Sequence, residues 1–285
     1  MFQKNRNSIE FNLLEGTFDA PPKPRRSSKF FPKWFKDLPL DVEKYAPTVK
    51  RCQPFLDAVS EGYIIPSWFD MTVIVGNCAV AMNSNNEVVH PHGLPYTYET
   101  NAEELIGQTL HNQQVSSVHD LGFTWFIEAS PNFRGHDGPA MFGSHPIQQF
   151  EGMTAFLSGN QALKLNNIWS IKTPKGWSCR FRNIPNFANS FHDLCFVEAN
   201  VDTDTYHGGI NLPFFLKDSV KAGEYLIPKG TPLIQVIPFK RGELTQVSFG
   251  VSTYATQRNI SSKLATHFTD SYKKLFWHKR KQETL

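Results

Sequence analysis

Cysteine is scarce in this chain. Cys52, Cys78, Cys179 and Cys195 are the four in 285 residues, and no two of them stand in a Cys-x-x-Cys pair. That scatter speaks against disulfides and against a cysteine metal site. It predicts buried free thiols in a reducing compartment. Long apolar runs are also missing: none approaches the roughly 20 residues that a membrane-spanning helix needs. The residues that follow Met1 are polar and charged, so no secretory leader is expected and the expected location is cytoplasmic. Excess charge of one sign is small. A formal net charge of +3 does not make the concentrated basic face of a nucleic-acid binder, and a nucleic-acid partner is not expected.

What is abundant is aromatic. Phe, Trp and Tyr make up 13% of the chain, with 24 Phe, against an ordinary 40% hydrophobic and 19% charged content. Such a chain folds for most of its length and favours β packing and large interfaces. The clearest order lies between Asn167 and Arg241. Trp169 and Ile171, then Trp177, Cys179 and Phe181, alternate with polar residues as in half-buried strands. Ile210, Leu212 and Phe214 alternate likewise. Leu233, Ile234, Val236 and Ile237 form a more continuous run, the mark of a strand covered on both faces. Pro174-Lys175-Gly176 and Pro228-Lys229-Gly230 supply turns, with Gly available where φ must be positive. This punctuation predicts an α+β protein that is mainly β.

Three phrases in that stretch, KTPKGWSCRF, VDTDTYHGGI and IPKGTPLIQVIPF, resemble successive strand motifs of the dUTPase and dCTP-deaminase superfamily. The resemblance covers about a quarter of the chain. It implies a β-barrel or β-sandwich core over about residues 150–250 and a homo-oligomer, with a trimer as first choice. It also implies a nucleotide site. Asp202 or Asp204 would orient a water, Tyr206 would stack on base or sugar, Gln235 would brace the hairpin, and Arg180 and Arg182 would hold phosphates, with Mg²⁺ as the ion. The chain departs from the family pattern in three places. RFRNIPNF has no Ser-Gly after its arginines, the Asp hairpin is one residue longer, and no Gly-rich aromatic tail closes the C-terminus. The phrases TVKRCQPFLDAVSEGYIIP, IWSIKTPKGWS and VDTDTYHGGINLPFF further resemble an uncharacterised family of phage and bacterial proteins, which implies no activity. If phage-encoded, the chain would reside in the host cytoplasm or the virion.

Outside this stretch the order is looser. Residues 1–40 read as an extended N-terminal arm. It has a short strand within Ser8–Phe18, a Pro- and Arg-rich segment that disfavours helix, and Phe30, Phe31, Trp34 and Phe35 among lysines. Those rings either pack the arm on the body or anchor a protein partner. A helix is expected from Thr48 or from Pro54, closed by Glu61-Gly62. Strands follow at Tyr63–Pro66, Met71–Val75 and Phe123–Ala129, with a hairpin turning at Asn83–Asn86, a short helix at Asn101–Gln108 and a strand at Leu244–Phe249. From Ser261, Leu264, Phe268, Tyr272, Leu275 and Phe276 take helical spacing, and Lys273, Lys274, His278, Lys279, Arg280 and Lys281 crowd the helix end, where cations suit the dipole. His90, His92, His119, His136 and His145 are five of the ten histidines. His90, His92, His136 and His145 are the candidate ligands for Zn²⁺ or Fe²⁺, although Pro91 spoils a His-x-His strand and no definite ligand spacing joins them.

The domain reading is an arm over 1–40, a single mainly-β body over 41–260 and a basic amphipathic helix over 261–285. The favoured function is a non-enzymatic structural, assembly or binding module that needs no cofactor. The alternatives are a nucleotide-binding or nucleotide-hydrolysing enzyme of dUTPase type and a metal-dependent enzyme built on the histidines.

Overall fold

The computed structural model describes residues 8–14, 20–43, 46–82, 94–96, 117–129, 142–145, 147–150, 157–185, 194–217, 220–221, 223–242, 247–267 and 270–278. It is mainly β, with few helices.

The strands are β1 (Glu10–Leu13), β2 (Arg25–Arg26), β3 (Tyr63–Pro66), β4 (Met71–Met82), β5 (Leu94–Tyr96), β6 (Ser117–Ala129) and β7 (Phe142–His145). Then come β8 (Leu157–Lys172), β9 (Trp177–Arg182), β10 (Leu194–Phe196), β11 (Ala199–Val201), β12 (Gly209–Lys217), β13 (Gly223–Ile227) and β14 (Pro232–Lys240). They build three antiparallel sheets. In the first, β8 is flanked by β12 on one edge and by β1 and β7 on the other, with β10 outside β12. The second runs β11-β9-β14-β3-β2, and the third sets β4 between β6 and the pair β13 and β5.

None of the sheets closes on itself among the described residues, so the closed-barrel form of the expected core is not found there. The inner faces of the sheets nevertheless meet in one core: Leu165, Ile171, Leu212 and Phe214 come from the first, Ile65, Cys179, Phe181, Ile234 and Val236 from the second, and Met71, Val73 and Ile227 from the third.

The alternation at Ile210, Leu212 and Phe214 is realised on β12, with all three buried. The run Leu233–Ile237 is buried throughout in β14, because one face of this strand meets the core and the other lies beneath a helix and the arm. Both turns take their glycines at positive φ, +83° at Gly176 and +91° at Gly230.

The helix expected near Thr48 divides in two. The Thr48 side chain caps a 3₁₀ turn at Val49–Arg51, and α2 (Gln53–Ser60) then starts with Pro54 in its first turn. The arm carries a 3₁₀ turn at Ser27–Phe30 and α1 (Lys33–Asp37). It lies on its own body: β2 pairs with β3, and buried Phe35 stacks on Phe55 of α2 with ring centroids 6.0 Å apart.

The C-terminal helix starts earlier than its apolar spacing predicts. Thr253 Oγ1 accepts the Thr256 N–H and caps α3 (Tyr254–Ala265), which places Ser261 in mid-helix. Asp270, at φ +60°, then starts the separate α4 (Ser271–Leu275). The Asp270 carboxylate meets Arg51, and Trp277 Nε1 donates to Asp57 on α2. Residues 247–249 of the expected strand are not in a strand. Asn83–Asn86 and Asn101–Gln108 lie outside the described residues. Among those described, no helix is long and apolar enough to cross a membrane.

Candidate functional site

The second sheet sets the frame. Along β9, Cys179 and Phe181 face the core, while Ser178, Arg180 and Arg182 lie on the other face. The β14 residues opposite them are Phe239, Ile237 and Gln235. The turn Asp202–Gly208 leaves β11 beside the start of β9. Arg241 leaves β14 beside the same end, and its backbone N–H donates to Gly176 O at 2.8 Å.

The first cluster forms where these ends converge. Asp202 accepts from Ser178 Oγ at 2.6 Å and pairs with Arg241 Nη1 at 3.0 Å. Asp204 takes both ends of the Arg241 guanidinium and the Gly176 N–H at 2.8 Å. Arg241 Nη1 also donates to Ser178 Oγ at 2.9 Å. A planar fork set between two carboxylates is the geometry arginine serves best. Backbone N–H groups of Thr205 and Tyr206 both donate to Asp202 O, which closes the turn. Beneath it, Thr203 is fully buried, and its hydroxyl meets Thr173 Oγ1 at 2.8 Å and Cys179 Sγ at 3.4 Å.

The electrostatics follow from these contacts. Arg241, and next the Gly176 N–H, hold the Asp204 carboxyl down at about 2. The hydrogen bond from Ser178, and then Arg241, lowers Asp202. Burial pushes the Cys179 thiol up to about 11, which leaves it inert as a nucleophile. Carboxylates held below their ordinary range are poor general bases at neutral pH. Of the two, Asp202 keeps the solvent contact, with its side chain 63% exposed against 3% for Asp204.

The second cluster sits four residues further along β9, about 13 Å away at strand rise. Arg182 Nε donates to Gln235 Oε1 at 2.9 Å and its Nη2 to Ala58 O at 3.0 Å. Gln235 is fully buried, and its amide nitrogen donates to Glu61 O and to Ser27 Oγ at 3.3 Å. This cluster welds β9, β14, α2 and the arm.

The expected site residues therefore divide. Asp202 and Asp204 share one cluster, and Arg182 and Gln235 share the other. Arg180 lies between them, donating to Asn200 Oδ1 at 3.2 Å with its guanidinium 5.5 Å from the centre of the Phe239 ring. Tyr206 is half exposed, and its hydroxyl turns back to Gly209 O at 3.0 Å.

Two residues carry these clusters without having been singled out from the sequence, Arg241 and Ser27. Both act across long separations, 37 residues to Asp204 and 208 to Gln235, so no local spacing marks them. The donor set does not fit Mg²⁺. Both Asp204 oxygens are already bonded to Arg241, and an added cation at Asp202 would sit against that fixed positive charge. Of the histidine candidates, His90, His92 and His136 lie outside the described residues, and His145 is placed by its backbone on β7. Among the described residues, no group of three or more His, Cys, Asp or Glu side chains is placed to hold a metal ion.

No family model matches the chain, and no curated protein matches it. Among solved structures, the chain is similar to the dUTPase from phage phi11 of S. aureus and to an Asp-to-Asn mutant of that enzyme, described for its coordination of a structural Mg(II) ion. Each match has 18% identity and a TM-score of 0.22, and covers 32% of this chain and 73% of the other. A likeness of that size assigns neither fold nor activity to this chain.

Proposed function

We propose that this chain does no chemistry of its own. It is a phage-encoded structural or binding module on a dUTPase-like core, in which the Asp202–Tyr206 hairpin is a clamp. The dUTPase-like part rests on the strand motifs that the chain carries in order along β9, β11–β12 and β14. The phage setting rests on the sequence resemblance alone.

The observation that carries the non-enzymatic part is the fate of the candidate residues. A triphosphate site needs cations and free donors converging on one place. Here Arg241 is spent on the two carboxylates at one end of β9, and Arg182 on Gln235 and the α2 backbone at the other.

The test is a thermal melt of the full chain with dUTP, dUMP or dCTP and Mg²⁺, together with assays for triphosphate hydrolysis and dCTP deamination. A ligand that binds only the folded state at 100 times its Kd adds about 2.7 kcal/mol to stability. The expected result is no shift in melting temperature and no turnover above background. Turnover that disappears in Asp202→Asn would overturn the proposal and make the hairpin catalytic.

A further inference from the structure

Among the described residues of the excursion between β14 and α4, almost nothing is covered. Every residue from Val247 to Thr266 is exposed, α3 included. A free helix of this length is marginal in water, and α3 buries none of its residues. Just before it, Val247, Phe249 and Val251 are 77%, 97% and 96% exposed, and Tyr254 is 79% exposed. Soluble monomers rarely leave contiguous apolar area of that size in water.

Both ends of the excursion are nevertheless held. Arg241 is tied to Asp202 and Asp204 upstream, and Asp270 and Trp277 are tied to Arg51 and Asp57 downstream. The body therefore presents this segment from two fixed points.

We propose that residues 247–264 form a two-fold interface with a second copy of this chain. The pattern is self-complementary. In Val-Ser-Phe-Gly-Val the two valines, Val247 and Val251, stand two residues either side of Phe249, with Ser248 and Gly250 as the small residues between. Antiparallel pairing across a two-fold axis puts Phe249 against Phe249 and Val247 against Val251 of the second copy, on one face of both segments. On α3, Tyr254, Ile260 and Leu264 fall within one stripe at 100° per residue, while Arg258 and Lys263 fall outside it. Two such stripes meet without burying a charge. A partner of another kind would have to supply an uncharged apolar strip of matching length, which a second copy supplies by symmetry. The area is also sufficient. Phe249 and Tyr254 each offer on the order of 150–250 Å². With the three other exposed aliphatics and Val251, the segment approaches the roughly 800 Å² per partner of a stable interface.

The inference stands on the exposed segment alone and does not depend on whether the body binds nucleotide. It is tested by light scattering of the full chain over a range of concentrations, with F249D and, as a control at an exposed valine elsewhere, V42D. Phe249 is 97% exposed in the single chain, so its replacement leaves the subunit fold intact, which the melting curve verifies. The expected result is a dimer in the parent chain and in V42D, with the dissociation constant raised at least about thirtyfold in F249D, as for loss of a central interface residue. Under mild oxidation, F249C should form a covalent dimer that the parent chain does not. A monomeric parent chain, a dimer indifferent to F249D, or a threefold mass of the kind implied by the dUTPase resemblance would overturn the proposal.

Discussion

At the scale of single residues, Gln235 and Asp204 show how buried and half-buried polar groups are settled. Gln235 satisfies Arg182 Nε with its oxygen, and Glu61 O and Ser27 Oγ with its nitrogen. Gln235→Leu keeps much of the volume and strips those partners. It should cost about 1–3 kcal/mol, the penalty for leaving buried groups unpaired, read as a lower urea midpoint with an unchanged slope. Asp204 is settled by charge. Its folded pKa of about 2 lies below the unfolded value of about 3.9. The carboxylate therefore contributes stability above pH 4, and that contribution is lost as pH falls from about 4 towards 2. Asp204→Asn should lower the melting temperature at pH 7 and flatten the pH dependence in that window. A variant with the parent's acid profile would show that Arg241 is not held by Asp204.

Among the elements, the junction of α2 with β3 holds the most tightly enclosed of the glycines compared. Gly62 has φ +66°, and a Cβ there would lie 2.2 Å from Val236 O on the neighbouring β14. Gly176 has φ +83° but nothing within 4 Å of the added carbon. Gly62→Ala must therefore displace backbone as well as bear an unfavourable φ, whereas Gly176→Ala bears the φ alone. The expected costs are at least about 3 kcal/mol and about 1–2 kcal/mol respectively. Thermal melts giving equal losses would mean that the α2–β3 junction can yield. The same local chemistry was legible beforehand. The Pro-Lys-Gly turns, the alternation in β12 and the buried run of β14 rest on residue types and period-two spacing, which act within a few residues. The C-terminal helix departs from its apolar spacing, which points to Leu264 and Tyr272, because the start is decided by the Thr253 cap and the break by Asp270.

For the whole molecule, the arm matters most. It joins the edge of the second sheet as β2, buries Ser27 and Phe35, and completes the hydrogen bonding of Gln235. Phe35, 4% exposed, touches Phe31, Trp34 and Phe55. Phe35→Ala should cost about 3–5 kcal/mol, as for a large core ring, measured by denaturant unfolding. A loss below about 1 kcal/mol would mean that the arm is not part of the cooperative unit.

The division between sequence and structure follows from range. By itself, the sequence determined that the chain is mainly β, where its Gly-bearing turns fall, that Ile210, Leu212 and Phe214 share a buried face, and that Asp202 and Asp204 stand in one tight turn. Only the tertiary structure decided what those carboxylates do. Arg241 reaches Asp204 across 37 residues, and Ser27 reaches Gln235 across 208. Strand register is one condition for this, since a shift of one residue would turn Arg182 and Gln235 to the opposite face. The Asp202–Gly208 turn and the 3₁₀ turn of the arm bring Asp204 and Ser27 to their partners.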